Sequence, residues 1–246
     1  MKHILITGAS SGLGEALALH YASENSLLSL CGRDNKRLDA IGKQCKKLGA
    51  NIHTKIIDVT DKQAMDKWII TRDKKHPIDI IIANAGISGT DDSLTSAEKI
   101  FDINMGGVVN TIHPIIPRMQ ERSTGQIALV SSLAGYKGLS SAPAYSASKV
   151  FVKGYGEALR GKLSPDNIKV NIICPGFVRS RITDQNDFPM PGFMEADKAA
   201  KIIVNGLEKN IPIIAFPWFM RFGVWFLSIL PANVAEWITS LLPKKS

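Results

Sequence analysis

Seven short apolar runs, separated by helix-patterned segments, do most to limit what these 246 residues can fold into. The runs are rich in Ile, Val and Leu and lie at 3–7, 27–31, 52–57, 78–83, 126–131, 168–173 and 211–216. Bounded by Gly, Pro, Asn or Asp, each reads as a buried strand. Between them the apolar spacing lengthens to three and four residues. Leu38, Ile41, Cys45 and Leu48 mark one helix face, and another segment starts near Tyr145 and runs through Val152 to Leu159. Strand, helix, strand repeated in this way predicts parallel strands with right-handed crossovers. The expected fold is a doubly wound α/β parallel sheet with helices on both faces. No repeat or long linker divides residues 1–216, which are expected to form a single domain.

Charge and cysteine content narrow the function classes. Thirty Lys and Arg against 22 Asp and Glu give a net charge of +8. The basic residues cluster mildly at 33–47 and 67–75, but Asp34, Asp39, Asp66 and Asp73 are interleaved with them. With no long one-sign run and no zinc-ligand spacing, neither nucleic-acid binding nor a metal site is expected. Cys31, Cys45 and Cys174 are odd in number and widely spaced, without C-x-x-C, which fits small core hydrophobes in a reducing compartment. Gly8 cuts the first apolar run too short for a signal peptide, so a cytoplasmic location is expected.

Residues 217–246 break the rhythm. Trp218, Phe219, Met220, Phe222, Val224, Trp225, Phe226, Leu227, Ile229 and Leu230 follow Pro217; after Pro231 come Val234, Trp237, Ile238, Leu241 and Leu242, then Lys244 and Lys245. Pro212, Pro217 and Arg221 argue against a spanning helix. A short apolar helical extension is expected, serving as a subunit interface, a substrate lid or a peripheral membrane contact through 217–242.

The first run leads into Thr7-Gly8-Ala9-Ser10-Ser11-Gly12-Leu13-Gly14, with glycines spaced G-x-x-x-G-x-G. A glycine-rich turn between a strand and a helix lets backbone approach a pyrophosphate and aims helix N-terminal N–H groups at it. Ser10 and Ser11 add hydroxyl donors. Alone, the turn could equally be a tight bend with packing glycines. Together with Ala83-Asn84-Ala85-Gly86, Ser132, Tyr145-Ser-Ala-Ser-Lys149 and Pro175-Gly176, in that order and spacing, it resembles the short-chain dehydrogenase/reductase family over residues 1 to about 210. The resemblance implies a Rossmann-type dinucleotide-binding and catalytic domain over 1–216. It also implies an oxidoreductase moving a hydride between a nicotinamide cofactor and a carbonyl/secondary alcohol pair.

The second run ends Cys31-Gly32-Arg33. NAD-preferring folds usually carry a carboxylate at this strand end to grip the adenosine ribose. Gly32 offers none, and the Arg33 guanidinium can clamp a 2′-phosphate, with Lys36 and Arg37 adding positive potential. NADP(H) is therefore expected over NAD(H), with Asp34 as a helix cap. The resemblance adds Asp58 and Val59 at the adenine and Asn84, Ala85 and Gly86 in the cofactor shell. It adds Pro175, Gly176 and Val178 beside the nicotinamide carboxamide, with Ser180 where the family has Thr.

Tyr145 and Lys149, four apart, share a helix face. A carbonyl receiving hydride needs a proton, and a free phenol with a pKa of about 10 is slow to yield one at neutrality. An ammonium about 5 Å away relieves about 3 kcal/mol at an effective dielectric of about 20, so Lys149 is expected to bring Tyr145 towards the working range. Ser132 precedes Tyr145 by thirteen residues, as the family pattern requires, and should steady the developing oxyanion. By resemblance, Lys149 also holds the nicotinamide ribose. Asn104 is the fourth catalytic position, distorting its helix so that a carbonyl can hold a water near the lysine.

Residues 177–195 resemble a mobile substrate lid, and Phe188, Met190, Phe193 and Met194 favour an apolar small-molecule substrate. A homo-oligomer is expected. The competing reading is a non-catalytic dinucleotide-binding regulator on the same scaffold; family members of that kind usually lose the tyrosine or the lysine.

Overall fold

The computed structural model describes residues 1–89, 93–185 and 189–240. Its strands are β1 (Lys2–Thr7), β2 (Ser26–Gly32), β3 (Asn51–Ile56), β4 (Ile80–Ala83), β5 (Gly125–Val130), β6 (Ile168–Pro175) and β7 (Ile213–Phe216). They form one sheet in the order β3-β2-β1-β4-β5-β6-β7, every pair parallel. Helices are α1 (Gly12–Tyr21), α2 (Asn35–Lys47), α3 (Lys62–Lys75), α4 (Leu94–Phe101), α5 (Gly107–Ile112), α6 (Ile116–Glu121), α7 (Pro143–Leu163), α8 (Ala196–Glu208), α9 (Trp218–Ile229) and α10 (Ala232–Ser240).

The central strands are buried on both faces, which is why they read as continuous apolar runs rather than alternating ones. One face packs Ile4, Ile6, Leu28 and Leu30 against Leu17 of α1, Leu38 and Ile41 of α2, and Ile203 and Leu207 of α8. The other packs Leu5, Ile81, Ile127 and Leu129 against Met65 and Ile69 of α3, Ile112 of α5, Met119 of α6, and Val152 and Leu159 of α7. The three cysteines are buried and unbonded within this packing.

Helix starts follow local chemistry. Asp34 Oδ1 accepts the Arg37 N–H at 3.0 Å, the capping role expected of it, and Asp61 caps α3 through the Ala64 N–H at 2.9 Å. Pro143 opens α7, where a missing N–H costs nothing.

Two strands are shorter than their apolar runs. In 78–83, the Ile78 N–H is taken by Asp73 Oδ1 at 2.8 Å, so pairing with β5 registers only from Ile80. In 211–216, Pro212 has no N–H to give, and pairing with β6 starts at Ile213.

Strand order reverses between β1 and β4, which opens a crevice at their carboxyl ends. Below it, on the same side of the sheet as α3, the buried Asp73 carboxylate pairs with Arg118 and Arg122, and Arg122 Nη2 donates to the Ile78 carbonyl at 2.8 Å. These bonds staple α3, α6 and the approach to β4. Asp73→Ala should strand two guanidinium groups, both partly solvated, and cost about 2–4 kcal/mol. Urea denaturation measures this; a loss below about 0.5 kcal/mol would reduce the staple to a surface ion pair.

Candidate active site

The turn after β1 is built from contacts only glycine permits. Gly8 and Gly12 have φ of +65° and +58°. A Cβ on Gly14 would lie 2.3 Å from the Gly8 carbonyl oxygen, and one on Gly8 would lie 2.8 Å from Ala85 Cα. Thr7 and Asn84 lock this turn to the end of β4. The Thr7 hydroxyl accepts the Asn84 and Ala85 N–H groups at 3.1 Å each. Asn84 Nδ2 returns bonds to the Thr7 and Gly8 carbonyls at 2.9 and 3.3 Å. Ser11 is the N-cap of α1, and its side chain makes no cap bond. The first-turn N–H groups therefore keep no side-chain competitor, and Leu13 turns onto the core. A cradle that any Cβ would fill, at a helix N-terminus, fits a pyrophosphate.

At the far end of the crevice the four predicted chemical residues come together. Lys149 is only 5 % exposed. Its Nζ donates to the Val130 carbonyl at 3.0 Å and lies 5.6 Å from the centroid of the Tyr145 ring. A Cβ on Gly86 would sit 3.2 Å from Asn104 Oδ1 and 3.5 Å from Lys149 Nζ, so this glycine is the partition between them. Asn104 lies in a π turn, Asp102–Gly106, closed by the Gly107 N–H on the Asp102 carbonyl, which is the helix distortion expected there. Its amide accepts the Ile87 N–H at 2.9 Å and donates to the Ile87 carbonyl and the Ser148 hydroxyl at 2.9 and 3.0 Å.

Ser132 faces the phenol, and Ser131 does not. Ser131 Oγ is spent on the Lys149 carbonyl at 2.7 Å. Ser132 Oγ accepts the Ala134 N–H at 3.1 Å, donates to the Pro175 carbonyl at 3.4 Å and interacts with the Tyr145 hydroxyl.

Electrostatics correct one expectation. Burial pushes the Tyr145 phenol above its ordinary pKa, and the Ser132 hydroxyl offsets only part of that rise. Burial also brings the Lys149 ammonium down to about 8, against a smaller upward pull from Cys174. With the protein's own groups alone, the lysine does not draw the phenol towards neutrality. Both groups lose solvent, and burial is the largest cause of each shift.

The other end of the crevice, around Arg33, is more open. Arg33 reaches across to Asp58 at 3.6 Å, with both side chains substantially solvated, and Thr60, Thr95, Glu98, Lys99, Asp102 and Ile103 complete the hollow. Burial pushes the Asp58 carboxyl up, but the Thr60 N–H and hydroxyl and the Arg33 guanidinium more than reverse this, leaving it below its usual range. Val59 turns inward instead. A Cβ on Gly107 would sit 2.5 Å from its Cγ2, and its carbonyl accepts from Asn110 at 3.0 Å. At the end of β2, a Cβ on Gly32 would sit 3.0 Å from Ser10 Oγ, so Ser10 stands against the place a carboxylate would leave from.

After β6, Gly176 is hemmed by Pro217, Met220 and Leu133, and its N–H bonds the Phe216 carbonyl at 2.8 Å. The two ends of the expected lid are zipped together. Val178 bridges Met194, and the Arg179 and Met194 N–H groups bond the Met194 and Phe177 carbonyls at 2.9 Å each. Ser180 meets the glycine turn directly, its Cβ 2.9 Å from where a Gly12 Cβ would be. Phe188 falls outside the described residues.

Sequence reasoning missed three supports: the Thr7–Asn84 lock, the Ser148 hydroxyl behind Asn104, and the placing of Met220 and Pro217 beside Gly176. Thr7 had a signal in its place just before the glycines. The other two join residues far apart in the chain.

Known proteins share this architecture. The family model described as short chain dehydrogenase matches residues 2–188. An uncharacterized oxidoreductase of Myxococcus xanthus is 36% identical over 236 residues, covering 92% of each chain. A short-chain dehydrogenase from Sphingobium yanoikuyae solved with NADPH superposes with a TM-score of 0.82 at 24% identity, covering 100% of this chain and 98% of that one. Another from Mycobacterium paratuberculosis, bound to NAD, superposes with a TM-score of 0.75 at 25% identity over 87% of this chain and 94% of that one. With the glycine cradle, the Ser132–Tyr145–Lys149 cluster and the seven parallel strands already in place, these matches make the chain a member of the short-chain dehydrogenase family of oxidoreductases.

Proposed function

We propose that this protein is an NADP(H)-dependent carbonyl reductase acting on an apolar ketone/secondary alcohol pair. The observation that carries this reading is the convergence of Ser132, Tyr145 and a buried Lys149 at one end of a crevice whose other end offers Arg33 and no strand-end carboxylate. Gly8, Ser10, Ser11, Gly12 and Gly14 would hold the pyrophosphate, Lys149 the nicotinamide ribose, and Pro175, Gly176 and Val178 the carboxamide side. Bound there, the nicotinamide supplies the hydride.

The chain's own residues handle the proton. Ser132 Oγ, fixed by the Ala134 N–H, offers its hydrogen to the substrate oxygen as negative charge grows on it. The Tyr145 hydroxyl gives that oxygen its proton, and the resulting phenolate finds the Lys149 ammonium beside it. A phenol held above its ordinary pKa stays protonated in the resting site, which is the form that reduction needs. The full set of Ser132, Tyr145, Lys149 and Asn104 argues against a non-catalytic regulator. For the cofactor, Gly32 backed by Ser10 and the solvated Arg33 favour a 2′-phosphate; a carboxylate at position 32 would have to displace Ser10.

Three measurements test this. Tyr145→Phe should lower carbonyl reduction at least about a thousandfold with NADPH binding nearly intact; a variant reducing at the parent rate would remove Tyr145 as the acid. Arg33→Ala should weaken NADPH binding roughly ten- to a hundredfold, the worth of a charge-assisted pair, and barely alter NADH. Equal losses with both cofactors would dismiss the phosphate clamp. Finally, kcat/KM for reduction should be flat through neutrality and fall above about pH 8. Below that pH Lys149 is an ammonium and Tyr145 a phenol, and above it the ammonium is lost first. A profile that rose through pH 8 would contradict the assignment.

A further inference from the structure

Helix α9 is apolar on two opposite sides, and among the described residues only one of them is packed. Met220 and Val224 pack on the cluster of Leu133, Tyr136, Ile172 and Cys174, and Leu227 continues this stripe one turn on. A second stripe at the same spacing, Trp218, Phe222, Trp225 and Ile229, is exposed by 79%, 61%, 47% and 59%, flanked by exposed Phe219 and Phe226. Val234 and Trp237 of α10 are also largely solvent-exposed, by 44% and 65%. A helix that is apolar nearly all round is stable only if both sides are covered.

We infer that this face docks α9 and α10 flat on an anionic lipid bilayer, with the substrate mouth turned towards the lipid. Length excludes spanning. α9 has 12 residues, about 18 Å of helix against a hydrocarbon core of about 30 Å, and no helix among the described residues is long and apolar enough to cross a membrane. Composition fits the interfacial zone. Three tryptophans, Trp218, Trp225 and Trp237, lie within 217–240, and indole settles at the headgroup boundary. Charge selects the surface. From Lys209 onward the chain carries Lys209, Arg221, Lys244 and Lys245 against the single acid Glu236, on a protein of net charge +8. Anionic headgroups attract that balance, whereas a second copy presenting the same segment repels it.

Position then links the surface to the site. The first turn of α9 sits beside Gly176, through Met220 Sδ at 3.3 Å from a Cβ built there. It also sits beside Gly192 of the lid, through Phe219 Cζ at 2.8 Å from the equivalent point. An apolar carbonyl dissolved in the bilayer would meet the mouth at the depth where α9 lies. This last step rests on the proposed carbonyl reduction; the docking itself does not.

The docking is tested without turnover. The full chain is sedimented with vesicles of phosphatidylcholine alone and of phosphatidylcholine with phosphatidylserine, and tryptophan emission is read with brominated acyl chains. The expected result is partition that is stronger with phosphatidylserine, weakened by salt, and accompanied by bromine quenching. Phe222→Ser/Trp225→Ser should weaken partition about tenfold or more while leaving NADPH affinity and reduction of a water-soluble ketone unchanged. Vesicles should speed reduction of a lipophilic ketone for the parent only. No partition of the parent at millimolar lipid overturns the docking, as does a stable dimer that the double variant dissociates. If vesicles bind but neither ketone is reduced, the proposed reaction fails and the docking stands.

Discussion

A buried ammonium organises the catalytic end of this molecule. Lys149 gives up nearly all its water, and the one backbone carbonyl it gains, that of Val130, does not replace a hydration shell. Its pKa falls to about 8 as a result. Holding it there requires α7 to lie unusually close to the sheet. Two glycines make that approach possible: a Cβ on Gly156 would meet Ile172 and Leu129 at 2.7 and 2.9 Å, and one on Gly135 would meet the Lys149 carbonyl at 2.6 Å. Ser131, next to Ser132, ties that same carbonyl down. Neighbouring serines thus divide the labour: one fixes the lysine's backbone and the other faces the phenol.

The Asn104 π turn belongs to the same construction. Opening a helix by one residue costs hydrogen-bond geometry, and such turns persist where side chains hold them. Here the amide of Asn104 spans the Ile87 peptide and Ser148, so the loop after β4, the π turn and α7 are pinned at one residue. Ser148 precedes Lys149 in the chain, which means the anchor that fixes Asn104 also fixes the lysine's position along the crevice.

Much of this was legible in the sequence because it is local. Continuous apolar runs follow from strands buried on both faces, the Asp34 cap follows from its place before a helical pattern, and the glycine turn carries its own spacing. Ser132 over Ser131 was decided by distance from Tyr145 alone, and the structure explains the choice by occupying Ser131. The protonation of Tyr145 was not legible. Spacing reports that a lysine is one turn away, but the phenol's pKa is raised by burial, and burial depends on how α7, β5 and the Pro175 turn close around it. The Thr7–Asn84 lock was hidden for a similar reason, since it joins positions 77 residues apart.

The layout of the two ends of the crevice follows from where the sheet's order reverses. The glycine turn and the Asn84 turn face each other there, one from β1 and one from β4, joined through backbone, the Thr7 hydroxyl and the Asn84 amide. Nothing at that point distinguishes one substrate from another. Under the proposed function, substrate selection would fall to the outer elements that border Gly176: the loop zipped by Val178 and Met194 and the first turn of α9. Those are also the elements richest in exposed aromatic side chains. The Ser132, Tyr145 and Lys149 cluster thus sits in glycine-tight packing, while the elements bordering Gly176 carry exposed aromatic surface; under the proposed docking, the medium against that surface becomes part of how the site is reached.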